Sequence, residues 1–164
     1  MMTCSYRLIQ GISVGVAGED QEAGARFSKI ERALSLIGEV APRRLQRIRA
    51  DLGQILVGPG RSALLWVPTR TCVIPQSRVD RASVSAVALS VVHEAAHARL
   101  ARAGVRPYPR RKFRMEVLCV GEELGFASLL PETRFPSRDV VIDELRELQR
   151  DLRARSPERR APHN

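Results

Sequence analysis

The chain has 164 residues and a formal net charge of +9, with 27 Lys and Arg against 18 Asp and Glu. This length predicts a single domain over residues 1–155, followed by a polar C-terminal tail, 156–164, that we expect to be disordered. The uncharged runs are much shorter than the roughly 20 apolar residues that cross a bilayer, so no transmembrane helix is expected.

The three cysteines are too few and too scattered for a disulfide framework. They favour a reducing, cytoplasmic location. The apolar run at 8–18 resembles a signal peptide only in part, because Gln10 and Ser13 interrupt it, but it keeps export open. The basic charge makes nucleic acid a possible partner, yet a solvated basic surface is favoured, because the arginines are spread over every segment and aromatics are only 4% of the chain.

The first part of the chain predicts a strand and two helices. Residues 6–16 carry β-branched stretches bounded by glycines, which is typical of a strand that enters a turn. Residues 19–40 repeat apolar side chains at helical spacing until Pro42 ends the helix. Residues 42–52 then predict a short basic helix or turn.

Three short apolar runs follow, separated by turns rich in glycine and proline, and they predict three strands at 54–57, 63–67 and 71–74. Pro68 and Pro75 favour edge positions for the strands beside them, since proline has no amide to donate. An exposed strand edge here could bind an extended peptide.

The remainder predicts three helices, which makes the chain α+β. Asp80 or Ser83 can cap the first, and Gly104 ends it. A second helix is predicted at about 110–130 and a third, strongly charged and amphipathic, at 139–155.

The first of these helices contains His93-Glu94-Ala95-Ala96-His97, the HExxH pattern of zinc hydrolases. Residues four apart lie on one helical face, so both imidazoles can reach a single zinc ion while Glu94 lies beside it. Two of the three histidines fall inside the motif; His163, in the polar tail, is a poor ligand candidate.

A catalytic zinc site usually has a third protein ligand, and the candidates are Glu116, Glu122 and Glu123 on the next helix. The short connection between the two helices predicts that they run antiparallel, which places Glu116 level with His97 and Glu123 slightly past the level of His93.

Helical rotation adds a second criterion. Glu116 and Glu123 fall on an apolar stripe that also includes Cys119, whereas Glu122 projects to one flank. We therefore expect Glu116 to bind the metal and Glu123 to accept a hydrogen bond from the His93 ring. Which of Glu116 and Glu123 is the third zinc ligand stays open on the sequence alone.

On these residues, His93 to His97 together with Glu116, Cys119 and Glu123, the chain resembles the zincin metallopeptidases in which a Glu on the following helix completes the site. The resemblance covers roughly 54–131. It implies a minimal zincin-like domain, with a small β-sheet packed on helices and an antiparallel pair formed by the HExxH helix and the glutamate helix. In the thermolysin-like group an Asp orients the first histidine of the motif, and Val120 stands at that position here. Glu123 is the expected replacement for this role.

The resemblance implies a zinc metallopeptidase acting on a peptide or protein. Zn²⁺ would be bound by His93, His97 and Glu116, with Glu94 as general base. Tyr108, or alternatively Arg106, is the expected oxyanion donor. The alternative is a catalytically inactive zincin-like scaffold that binds a partner or nucleic acid through its arginine-rich surface.

Overall fold

The computed structural model describes residues 3–18, 20–105 and 109–156, and over this part the expected α+β class is confirmed. The strands are β1 (Cys4–Ile9), β2 (Ile12–Ala17), β3 (Gln54–Gly58), β4 (Leu64–Trp66) and β5 (Thr71–Pro75). The α-helices are α1 (Asp20–Val40), α2 (Pro42–Asp51), α3 (Gln76–Arg81), α4 (Val84–Arg102), α5 (Pro109–Ala127) and α6 (Arg138–Arg155).

The N-terminal segment forms a hairpin rather than the single strand that the sequence predicted. Gln10 and Gly11 have φ values of 52° and 78°, and β1 pairs with β2 in antiparallel register on either side of them. Two consecutive residues with positive φ are the signature of a tight two-residue hairpin turn. The prediction was wrong because Gln-Gly is a weaker turn signal than Asn-Gly or Asp-Gly.

The five strands form one mixed sheet in the order β1-β2-β3-β5-β4. Strands β2, β3 and β5 are parallel to one another, whereas β4 is antiparallel to β5 and lies at an edge. The edge position predicted beside Pro68 is therefore correct for β4. It is wrong for β5, because Pro75 is the last residue of that strand, where a missing amide disturbs the ladder least.

Helices cover one face of this sheet. Val14, Ile55 and Cys72 are in register on that face and fully buried, and helix α1 adds Phe27 and Ile30 to the same core. On the opposite face Leu56 and Val73 are only partly buried. The core is mostly aliphatic, as expected from a chain with few aromatic residues.

A short helix, α3, precedes the HExxH helix and was not predicted. It contains Asp80, which pairs with Arg26 at 2.9 Å, so Asp80 does not cap α4. Ser83 is the N-cap, and its hydroxyl accepts a hydrogen bond from the amide of Ala86 at 3.1 Å. At the other end Gly104 has a φ of 77°, which allows the chain to leave the helix.

Candidate metal centre

The two histidines of the motif lie one turn apart on α4. Buried Val91, Val92 and Ala95 anchor the helix in the core, while the side chains of His93 and His97 are 19% and 17% exposed. Their Nε2 atoms are 3.1 Å apart. The rings therefore converge on one point, as the four-residue spacing predicts.

Glu116 on α5 faces both rings. One carboxylate oxygen, Oε2, lies 3.4 Å from His93 Nε2, and the other, Oε1, lies 3.5 Å from His97 Nε2. Ligand atoms bound tetrahedrally to one zinc ion at about 2.0–2.1 Å are about 3.3 Å from one another. The separations among these three side chains are thus suited to a common metal ion.

The other two glutamates of α5 have different partners. Glu123 Oε2 lies 3.1 Å from His93 Nδ1, the ring nitrogen that faces away from Glu116. Glu122 instead pairs with Arg99 at 2.6 Å and Arg44 at 3.0 Å. The geometry places all three carboxylates where the helical spacing had put them, with Glu122 directed to one flank.

Cys119 is a further candidate ligand, which the sequence analysis did not propose. Its thiol is fully buried, and its sulfur and one nitrogen each of His93 and His97 all lie within 4.8 Å of one another, so this group could hold a metal ion. The available signal was its position one turn after Glu116 on the same stripe. It was passed over because an isolated cysteine lacks the paired spacing of a thiolate zinc site.

Opposite charges define the electrostatics of the site. Burial by itself lowers the pKa of His93, but hydrogen bonds with Glu116 and Glu123 outweigh it and raise the pKa to about 10. Hydrogen bonds with His93 and, to a smaller extent, with His97 lower the pKa of Glu116. Burial raises the pKa of the Cys119 thiol. A metal ion must therefore displace a proton from His93.

Glu94 is the most buried acidic side chain near the histidines, with 5% exposure. Burial raises its pKa, and the neighbouring histidines oppose that effect. It nevertheless lines the cavities described next. A carboxyl group with a raised pKa that faces a cavity beside a metal site is suited to accept and return a proton.

Two cavities meet at Ala63, His93 and Glu94. One, of about 540 Å³, is lined in addition by polar and basic side chains of the β3–β4 loop and α3, and we call it the basic half: Arg61, Ser62, Ser77, Arg78 and Arg81. The other, of about 500 Å³, lies along β4 and is mainly apolar, and we call it the apolar half: Leu64, Leu65, Val67, Ala101, Val105 and Met115. Together the two cavities form a cleft that extends from the candidate metal centre in two chemically different directions.

Some expected functional residues lie outside the described part of the chain. These are the two candidate oxyanion donors, Tyr108 and Arg106, and His163 in the tail. Lys112 is a cation that lines the apolar half and that the sequence analysis did not single out.

Comparison with protein-family models, curated proteins and solved structures found no match to this chain. None of the helices in the described residues combines the length and the apolar character needed to cross a bilayer.

Proposed function

We propose that this protein is a zinc-dependent metallopeptidase with a zincin-like fold, in which His93, His97 and Glu116 bind the metal. The observation that carries the proposal is the convergence of these three side chains at mutual distances of 3.1–3.5 Å, with buried Glu94 beside them. Imidazole and carboxylate groups are the ligands that catalytic zinc sites use most often.

A bound zinc ion would supply a water of lowered pKa and would polarise the carbonyl of the scissile bond. Glu94 takes the proton from the attacking water on its carboxylate oxygen and then donates it to the nitrogen of the leaving amine. Glu123 accepts a hydrogen bond from the Nδ1–H of His93, which fixes the ring tautomer and leaves Nε2 free to bind.

The cleft supports an extended peptide as the substrate. Strand β4 is an edge strand of the sheet, and its residues Leu64 and Leu65 line the apolar half beside the metal centre. An unpaired strand edge offers backbone donors and acceptors to an extended chain. A peptide laid along β4 brings a backbone carbonyl close to His93 and Glu94, which lie where the two halves meet.

The three free cysteines agree with a reducing compartment.

The proposal is tested by comparing the wild type with Glu94→Gln. Both proteins should bind about one zinc per chain, because Glu94 is not a ligand, whereas only the wild type should cleave a peptide library. Loss of activity should appear in kcat, since the missing proton transfer occurs in the transition state. His93→Ala is the metal-free control. Equal cleavage by the wild type and Glu94→Gln would refute the assigned role of Glu94.

One observation favours a second candidate. If the buried Cys119 sulfur bound the metal as a fourth protein ligand, no position would remain for water, and the site would be structural. The chain would then be a zincin-like scaffold, with the arginine-rich surface as its binding region. Several arginines, such as Arg26, Arg102 and Arg134, are however paired with acidic side chains.

X-ray absorption spectroscopy of the zinc-loaded protein separates the two candidates. A zinc–sulfur distance of about 2.3 Å that disappears in Cys119→Ser would support the closed site, because nitrogen and oxygen ligands lie at about 2.0–2.2 Å. A shell of nitrogen and oxygen alone would support the open, hydrolytic site.

A further inference from the structure

The basic half of the cleft contains positive charge that the catalytic roles proposed above do not use. Arg61, Arg78 and Arg81 all line it, next to His93 and Glu94. Among the described residues, neither Arg61 nor Arg78 forms an ion pair with an acidic side chain. The acidic groups in the same cavity already have roles, Glu123 at the His93 ring and Glu94 at the reacting water.

Arg78 is held in place by the HExxH helix itself. Its Nε donates a hydrogen bond to the hydroxyl of Ser90 at 2.8 Å, and Ser90 in turn donates to the backbone oxygen of Ala86 at 3.1 Å. Ser90 is buried and lies three residues before His93, so it is on the same side of α4. Anchoring through Nε leaves the two terminal nitrogens of the guanidinium available for a planar anion.

We propose that the basic half is a carboxylate-binding site, and that the protein selects peptides with a carboxylate on the C-terminal side of the cleaved bond. This inference rests on the proposed function. Two N–H groups of a guanidinium match the two oxygens of a carboxylate, and His93, one of the proposed metal ligands, lies at the junction of the two halves. The carboxylate belongs either to the peptide C-terminus or to an acidic side chain close to it.

Antiparallel pairing is slightly more stable per residue than parallel pairing, so a peptide is expected to add antiparallel to β4, and its direction then follows from the way the strand runs. The strand begins directly after Ala63, which lines both halves, and runs from Leu64 toward Val67 in the apolar half. A peptide that adds antiparallel to β4 therefore has its N-terminal part along the apolar half and its C-terminal part at Arg61 and Arg78. This orientation places an apolar side chain before the cleaved bond and a carboxylate after it.

The test uses short peptide hydroxamates, which bind zinc directly and do not depend on turnover. Three probes are compared by calorimetry on the zinc-loaded protein: one ending in a free carboxylate, one ending in a carboxamide, and one ending in a carboxamide with a glutamate side chain next to it. The free acid should bind wild type about tenfold more tightly than the plain amide, as expected for a charge-assisted contact at a partly exposed site. If the glutamate probe binds as tightly as the free acid, the site accepts a carboxylate from a side chain as well as from the peptide C-terminus.

Arg61→Gln and Arg78→Gln should each reduce the preference for the acid to about twofold. Arg32→Gln is the matched control, since Arg32 is exposed on α1 and lines neither half of the cleft, and it should keep the tenfold preference. Thermal unfolding of each variant checks that the fold is intact; Arg61 lies in an exposed loop, so at least this substitution should not disturb folding.

Equal binding of the acid and amide probes to the wild type would overturn the carboxylate site alone. Failure of all hydroxamates to bind would overturn the proposed zinc hydrolase, and this inference with it. Tighter binding of a single-stranded oligonucleotide, lost in Arg61→Gln and Arg78→Gln, would overturn the inference in favour of a phosphate-binding role.

Discussion

Zinc binding should depend steeply on pH, because the metal and a proton compete for His93. We consider zinc binding to the metal-free protein as the pH is changed from 7 to 9. Hydrogen bonds with Glu116 and Glu123, acting against burial, raise the pKa of His93 to about 10, so the ring is protonated throughout this range. Only the neutral ring can bind zinc.

The magnitude follows from the distance between the pKa and the working pH. At pH 7 the ring is three pH units below a pKa of about 10, so the proton weakens the apparent zinc affinity by about 1,000-fold. Each unit of pH removes about tenfold of that penalty, and the affinity should rise by about 100-fold between pH 7 and pH 9. The zinc affinity must rise and not fall with pH, because protonation of His93 at lower pH favours the metal-free form.

Competition with a chromophoric chelator at pH 7, 8 and 9 measures this dependence. Glu123→Ala removes one of the two carboxylates that hold the proton, so its affinity should change less with pH than that of the wild type. Glu122→Gln is the matched control, since Glu122 pairs with Arg44 and Arg99, and it should have the wild-type slope. Ionisation of a zinc-bound water contributes to all three proteins alike. A wild-type affinity that stays constant over this range, or an unchanged slope in Glu123→Ala, would show that a proton on His93 does not control zinc binding.

Three further substitutions test the roles of Glu116 and Cys119 at the metal and of Phe126 in the core. Glu116→Gln should weaken zinc binding near pH 9 at least about tenfold more than Glu122→Gln, because it removes a ligand rather than a flanking charge; equal effects in chelator competition would contradict the assigned ligand. Cys119→Ser should leave zinc content and peptide cleavage nearly unchanged if the site is open, and elemental analysis showing loss of zinc would point to the closed site. Phe126→Ala should lower the free energy of unfolding by about 3–5 kcal/mol in urea denaturation, since Phe126 is fully buried in the core; a change below about 1 kcal/mol would show that the core relaxes around it.

Local features of this protein, such as the faces of its helices, could be predicted from the amino-acid sequence. Helical spacing alone placed His93 and His97 on one face, and turn length and rotation put Glu116 and Glu123 opposite them and Glu122 to the side. These inferences succeed because an α-helix has a fixed rise and rotation per residue, so spacing along one helix becomes direction in space. The boundaries of α1, α4 and α6 were anticipated within a few residues, since proline, glycine and capping residues mark helix ends, whereas for 42–52 the choice between helix and turn was left to the structure.

The order of the strands and the surroundings of the candidate metal centre became clear only from the three-dimensional structure. The interior position of β5, the hairpin at Gln10 and Gly11, and the sulfur of Cys119 near the two imidazoles were not predicted. The contact of Arg78 with Ser90 joins α3 to the HExxH helix, and both residues line the basic half of the cleft. Strand order and contacts between separate helices depend on the packing of segments far apart in the chain, for which local periodicity carries no information.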